Sequence, residues 1–241
     1  MNPIPQTPQL VILPGLLCDE RMFAPQLAAF AGSQVIGGFY AGCTSITAMA
    51  EHALDRMPDR AVVLGHSMGA RVAIEVARLA PERVAGLVIA DSGIHPVKPG
   101  EQASRYATRD IGREQGMAAL VDAWLPPMVA PANRSPELMD QLGAMCRSAG
   151  LGTYEREIGA MLTRPDAEAV LDVIACPALV VVGKEDLWSP VSQHQTIAGR
   201  LSGAELRVIP GAGHMLPAEA PAAFNACLAQ WLARMGLGTV E

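Results

Sequence analysis

The stretch Ala61-Val62-Val63-Leu64-Gly65-His66-Ser67-Met68-Gly69-Ala70-Arg71 constrains this chain more than any other. An apolar run reads as a buried strand, Gly-x-Ser-x-Gly as a tight turn, and Met68 to Leu79 as the helix that follows. In such a turn the serine projects beyond the sheet. Behind it, the helix N-terminus presents unpaired backbone N–H groups and the positive end of the helix dipole. The two glycines fit because side chains at those positions would collide with neighbouring backbone. A pentapeptide recurs by chance, so its surroundings have to support it.

With 241 residues, 50% of them hydrophobic and 17% charged, the chain suits one α/β domain with room for an inserted subdomain. A net charge of −6 and the lack of any basic run argue against nucleic acid and anionic membrane surfaces as partners. No apolar run reaches the length of a spanning helix. The first residues, MNPIPQTPQ, lack the basic and apolar regions of a signal peptide. A cytoplasmic protein, monomer or homodimer, acting on a small molecule is expected. Five scattered cysteines read as free thiols, and the five histidines fall into no metal-ligand spacing, so no metal is expected.

Along the chain, apolar strands are predicted at Gln9–Leu13, Gln34–Phe39, Ala61–Leu64, Val84–Ala90, Ala178–Val182 and Glu205–Ile209. Helices are predicted at Glu20–Phe30, Ser45–Met57 with Ser45 as N-cap, Met68–Leu79, Ser192–Leu201 and Pro221–Met235, before a loose tail from Gly236. Continuous apolar strands alternating with helices predict a parallel, doubly wound sheet buried on both faces. Between Ile94 and Ile174 the pattern is helical and methionine-rich, without a convincing strand. Residues 1–93 and 175–241 therefore read as the core, and 94–174 as a helical cap over the sheet's carboxyl edge, although ordinary packing helices explain the methionines as well.

Ser67, Asp186 and His214 each directly follow a predicted strand, in the order serine, acid, histidine. A serine hydroxyl needs a neighbouring imidazole to take its proton, and the imidazole needs a carboxylate to fix its tautomer. Singly, Ser67 and Asp186 read as helix caps and His214 as a packed loop residue; together they predict a triad. Asp91, after the fourth strand, is a second candidate acid. The backbone N–H groups of Met68 and Leu16 are candidate oxyanion donors.

Through LPGLL at 13–17, GHSMG at 65–69, GKED at 183–186 and GAGH at 211–214, the chain resembles the α/β-hydrolase superfamily, and most of all its small bacterial, cofactor-free, esterase-like branch. The resemblance implies a serine hydrolase of small carboxylic esters or lactones with no cofactor, and favours Asp186 over Asp91. There are departures. Pro14-Gly15 replaces the usual His-Gly, which removes a side-chain hydrogen bond that normally steadies the oxyanion loop. Tyr40-Ala41-Gly42-Cys43-Thr44-Ser45 replaces the usual Gly-x-Gly-x-Ser loop. So little chain precedes Gln9 that the opening antiparallel pair is expected to be absent, leaving six strands.

Arg71 lies one helical turn past Ser67. Ser-Met-Gly-Ala-Arg is similar to the menaquinone-pathway lyase that eliminates pyruvate from a cyclohexene carboxylate, which implies a carboxylate anchor at Arg71 and, as an alternative function, carbon–carbon cleavage or elimination on an anionic substrate. A structural ion pair is the competing role for Arg71. Trp124 and the cap methionines are candidate pocket residues. A binding protein that keeps the fold without turnover is the remaining alternative, which reaction of Ser67 with a fluorophosphonate discriminates.

Overall fold

A computed structural model describes residues 8–237; the start MNPIPQT and the tail from residue 238 lie outside the described residues. Six strands form one sheet, β1 (Gln9–Leu13), β2 (Gln34–Val35), β3 (Ala61–His66), β4 (Val84–Ala90), β5 (Ala178–Gly183) and β6 (Glu205–Ile209), in the order β2-β1-β3-β4-β5-β6. Every neighbouring pair is parallel. β3, β4 and β5 are buried at every residue, as their unbroken apolar sequences require.

The helices joining these strands are α1 (Ala24–Ala29), α2 (Ile46–Leu54), α3 (Met68–Leu79), α9 (Val191–Arg200) and the closing α10 (Leu216–Glu219) and α11 (Pro221–Arg234). Between β4 and β5 lie α4 (Glu101–Gln115), α5 (Met117–Trp124), α6 (Pro136–Ala149), α7 (Leu151–Leu162) and α8 (Glu168–Leu171). The strand order reverses between β1 and β3, which places α1 and α11 together on one face and α2 and α3 together on the other. The Ser45 hydroxyl caps α2 by accepting the Ala48 N–H at 3.1 Å. Among the described residues no helix is long and apolar enough to cross a membrane.

Two elements differ from expectation. The helix predicted at Glu20–Phe30 is a 3-10 turn, Glu20–Phe23, followed by α1, because Pro25 belongs at a helix start and not in its interior. The strand predicted at Gln34–Phe39 pairs only at Gln34 and Val35. Beyond it Phe39, Tyr40 and Ala41 take φ of 50°, 52° and 51°, a left-handed turn that ends any strand.

Candidate functional site

Ser67 sits between β3 and α3 at φ 55°, ψ −118°, outside the regions open to ordinary residues. The flanking glycines make that turn possible: a Cβ on Gly65 would collide with the Gly69–Ala70 backbone, and one on Gly69 with the Leu13 and Pro14 carbonyls. Met68 opens α3, so its N–H has no carbonyl one turn back to bond.

The loops after β5 and β6 bring Asp186 and His214 to this serine. His214 Nε2 lies 2.8 Å from Ser67 Oγ, and His214 Nδ1 lies 2.8 Å from Asp186 Oδ2. With a carboxylate at Nδ1, that nitrogen carries the proton and Nε2 is left to accept the serine hydroxyl. Asp186 Oδ1 accepts the Trp188 and Ser189 N–H groups at 2.8 and 2.9 Å, and Oδ2 accepts the Ser189 hydroxyl at 2.6 Å. Burial pushes this carboxyl up, but His214 and the Ser189 donors outweigh it and bring its pKa down to about 2.

The histidine is held by its backbone as well as its ring. Its N–H donates to Met128 O at 2.8 Å, and its carbonyl accepts His66 Nε2–H at 2.8 Å. Burial, with the His214 ring close by, lowers the His66 pKa to about 3, so His66 is a neutral donor there. Glu219 brackets the same loop, accepting the N–H groups of Gly213, Met215 and Ala130 and the Asn133 side-chain amide at 2.8–3.0 Å.

Asp91, the second candidate acid, does not reach His214. Its Oδ1 accepts the Gly183 N–H at 2.9 Å, and burial, reinforced by the Asp186 charge, holds its carboxyl well above the usual range. It ties β4 to β5 instead. Leu16 lies in the loop after β1 and lines a pocket of about 30 Å³ with Ser67, His66, Met68 and His214; Trp124, Met128 and Met161 close its other side.

A larger cavity of about 330 Å³ adjoins Ser67 and His214 and runs between α3, the loop after β4 and α4. Its cations are Arg71, Lys98, Arg105 and Arg164. Arg164 pairs with both oxygens of Glu101, at 2.7 and 2.8 Å, and Arg105 shares that carboxylate. Burial raises Glu101, yet these partners bring its pKa down to about 2. Arg71 makes no ion pair among the described residues: it is 4% exposed, its Nη2 donates to His95 O at 2.8 Å, and its Nη1 is buried without a partner. Burial, and then the Arg164 charge, lower its pKa to about 9, which leaves it cationic at neutral pH. The arrangement suits an anion placed within reach of Ser67.

Several residues at the site carry no sequence signal of their own. His66 is visible only as a variable position of the pentapeptide, and Ser189 only as a neighbour of Asp186. Arg164 and Glu219, and Glu157, whose Oε2 accepts the Leu17 N–H, reach the site from distant segments with nothing in their local sequence to mark them.

The profile of the Alpha/beta hydrolase family matches residues 10–226. A provisionally named carbamate hydrolase of Variovorax paradoxus is 27% identical over 179 residues, 73% of this chain and 67% of that protein. A pimeloyl-[acyl-carrier protein] methyl ester esterase of Aromatoleum aromaticum is 27% identical over 223 residues, 84% of each chain. Among solved structures, a thermophilic esterase of Thermogutta terrifontis with malate bound superposes with a TM-score of 0.81 at 26% identity, covering 95% of this chain and 90% of that one. The chain is an enzyme of the α/β-hydrolase family.

Proposed function

We propose that the enzyme hydrolyses small carboxylic esters or lactones through an acyl-enzyme on Ser67. The observation that carries this reading is the continuous relay from Ser67 Oγ through the His214 ring to Asp186, with each contact at 2.8 Å. Ser67 Oγ attacks the acyl carbon while His214 Nε2 takes its proton. The Asp186 carboxylate stabilises the imidazolium. The Leu16 and Met68 N–H groups receive the oxyanion. Collapse of the tetrahedral species expels the alcohol, which takes the proton from His214; in a lactone that alcohol stays tethered to the acyl group. Water, giving its proton to His214, then attacks the ester carbon, and the acid leaves as Ser67 recovers its proton. Residues 94–174 serve as a cap whose apolar side chains, Trp124 and the methionines, select the acyl or alcohol group.

A fluorophosphonate probe tests the assignment. The wild type is expected to label and Ser67→Ala not to, with hydrolysis of p-nitrophenyl acetate falling about 10⁴-fold or more in the variant. Absence of labelling in the wild type sinks the hydrolase reading.

A second reading is favoured by the orphaned Nη1 of Arg71 in the cavity beside Ser67. Here the substrate is an anion anchored by Arg71, and the same triad performs carbon–carbon cleavage or elimination. With matched esters that differ only in a terminal carboxylate, Arg71→Ala is expected to lower kcat/KM for the acidic member about 10- to 100-fold, the range of one charge-assisted contact, and to spare the neutral one. Equal effects on both members remove the anchor.

A further inference from the structure

The loop Pro14–Cys18 follows β1, and its resemblance-implied histidine is missing: Pro14-Gly15 offers neither a side-chain donor nor, at Pro14, a backbone N–H. The loop also holds Leu17 at φ 59°, a left-handed conformation that is strained for a bulky residue. Contacts from outside the loop must hold it there, and two are present. Tyr40 Oη–H donates to Pro14 O at 2.8 Å from one side. On the other, the Leu17 N–H donates to Glu157 Oε2 at 2.8 Å, across a separation of 140 residues. Leu16 lies between these two anchors.

Both anchors are set in unfavourable positions. Tyr40 is 1% exposed and belongs to the left-handed run at 39–41, where no residue is glycine. Glu157, on α7, is 2% exposed, and its Oε1 has no partner among the described residues. A buried carboxyl with a single donor adds little to stability, and an apolar side chain of similar size would pack there at lower cost. Among the described residues its one hydrogen bond is the one on the loop.

We infer that Glu157, with Tyr40, is a positioning residue for the oxyanion: by gripping Leu17 it fixes the neighbouring Leu16 N–H toward the reacting carbonyl. This rests on the reading that the Leu16 N–H receives the oxyanion. The loop's missing histidine is replaced by a residue of the helical segment between β4 and β5, so that segment sets part of the electrostatics of the reaction as well as the shape of the pocket. Burial lifts the Glu157 pKa to about 8, so at neutral pH it grips as a neutral acid through its carbonyl oxygen. It therefore places no full negative charge near the developing oxyanion.

The test uses the full chain with p-nitrophenyl esters. Glu157→Leu removes the acceptor and is expected to lower kcat about 10-fold or more, part of the 10²–10³ that a whole oxyanion donor is worth, with KM within about threefold. Glu157→Gln keeps an acceptor oxygen and is expected to retain kcat within about threefold. Wild-type kcat in Glu157→Leu, or a loss in Glu157→Gln as deep as in Glu157→Leu, overturns the inference. If Glu157→Leu does not fold, Tyr40→Phe, which deletes only the hydroxyl, carries the test: a fall in kcat of about threefold or more at constant KM supports the inference, and an unchanged kcat overturns it. A wild type that neither labels with fluorophosphonate nor turns over an ester defeats the hydrolase reading instead, so the two failures are distinct.

Discussion

The two sides of the site are held by different amounts of polar structure. On the β5–β6 side, Asp186 accepts two N–H groups and a hydroxyl besides the His214 ring, Glu219 accepts four donors, and His66 and Met128 fix the His214 backbone. On the β1 side, the loop bearing Leu16 is gripped from outside by one tyrosine hydroxyl and one glutamate oxygen. The charge states differ as well. Burial raises both buried carboxyls, but the His214 charge and the donors on Asp186 draw it down to about 2, while Glu157, with one donor, rises to about 8. Asp91, also with one, sits well above its ordinary range. Burial alone makes a carboxyl neutral; a carboxylate that must stay ionised to stabilise an imidazolium needs its charge solvated by the protein.

The largest expected effect comes from breaking the dense side at its centre. Asp186→Asn preserves shape but offers the His214 ring the wrong tautomer, and kcat is expected to fall about 10⁴-fold with little change in KM. A loss below about 10-fold would show that the dense network is structural and that Asp186 does not set the His214 tautomer. A smaller effect is expected one layer out. Glu219→Gln turns an NH₂ toward donors that now meet oxygen, leaving at least one buried N–H unpaired, and a loss of about 1–3 kcal/mol in chemical denaturation is expected. If Glu219→Gln unfolds at the wild-type midpoint, the contacts of Glu219 add nothing to stability, and the contrast between the two sides is one of geometry alone.

That contrast between sides is the part of the molecule the sequence hides. β1, β4, β6 and α3 are readable to the residue: β1 and β4 are apolar runs buried almost throughout, the partly exposed edge strand β6 is stopped by Pro210, and α3 is closed by Pro81. Ser67, Asp186 and His214 are readable because each follows a strand, and a parallel sheet gathers all strand ends at one edge. Asp91 obeys the same rule, which is why sequence spacing alone did not separate it from Asp186; only the number and direction of donors does. β2 is misjudged because Val35 to Phe39 is largely apolar, while its chain direction is decided by a left-handed turn of ordinary residues that propensity disfavours. Glu157 and Glu219 sit within helices, where a glutamate reads as a solvated position. Their partners lie in other segments, so only the folded chain reveals them.

A last test sharpens the comparison through pH. Glu157 rises from 4.5 in its unperturbed state to about 8 in the fold, with burial the cause, against a weaker downward pull from the Leu17 N–H and Arg156. The folded chain therefore keeps a proton that the unfolded chain releases between those values. Its stabilising contribution is complete below about 4.5 and is lost as pH rises through about 8. The titratable groups buried around Glu157 do not share that window: burial holds Cys18 and Tyr40 well above their usual values and lifts Cys146 to about 12. Glu157→Gln has no proton to lose. Between about pH 5 and about pH 9 the wild-type Tm is expected to fall relative to that of Glu157→Gln, read by differential scanning calorimetry of both proteins in the same buffers. Parallel curves would mean that Glu157 ionises as an ordinary glutamate, and the thinly held side of the site would then carry a charge like the dense one.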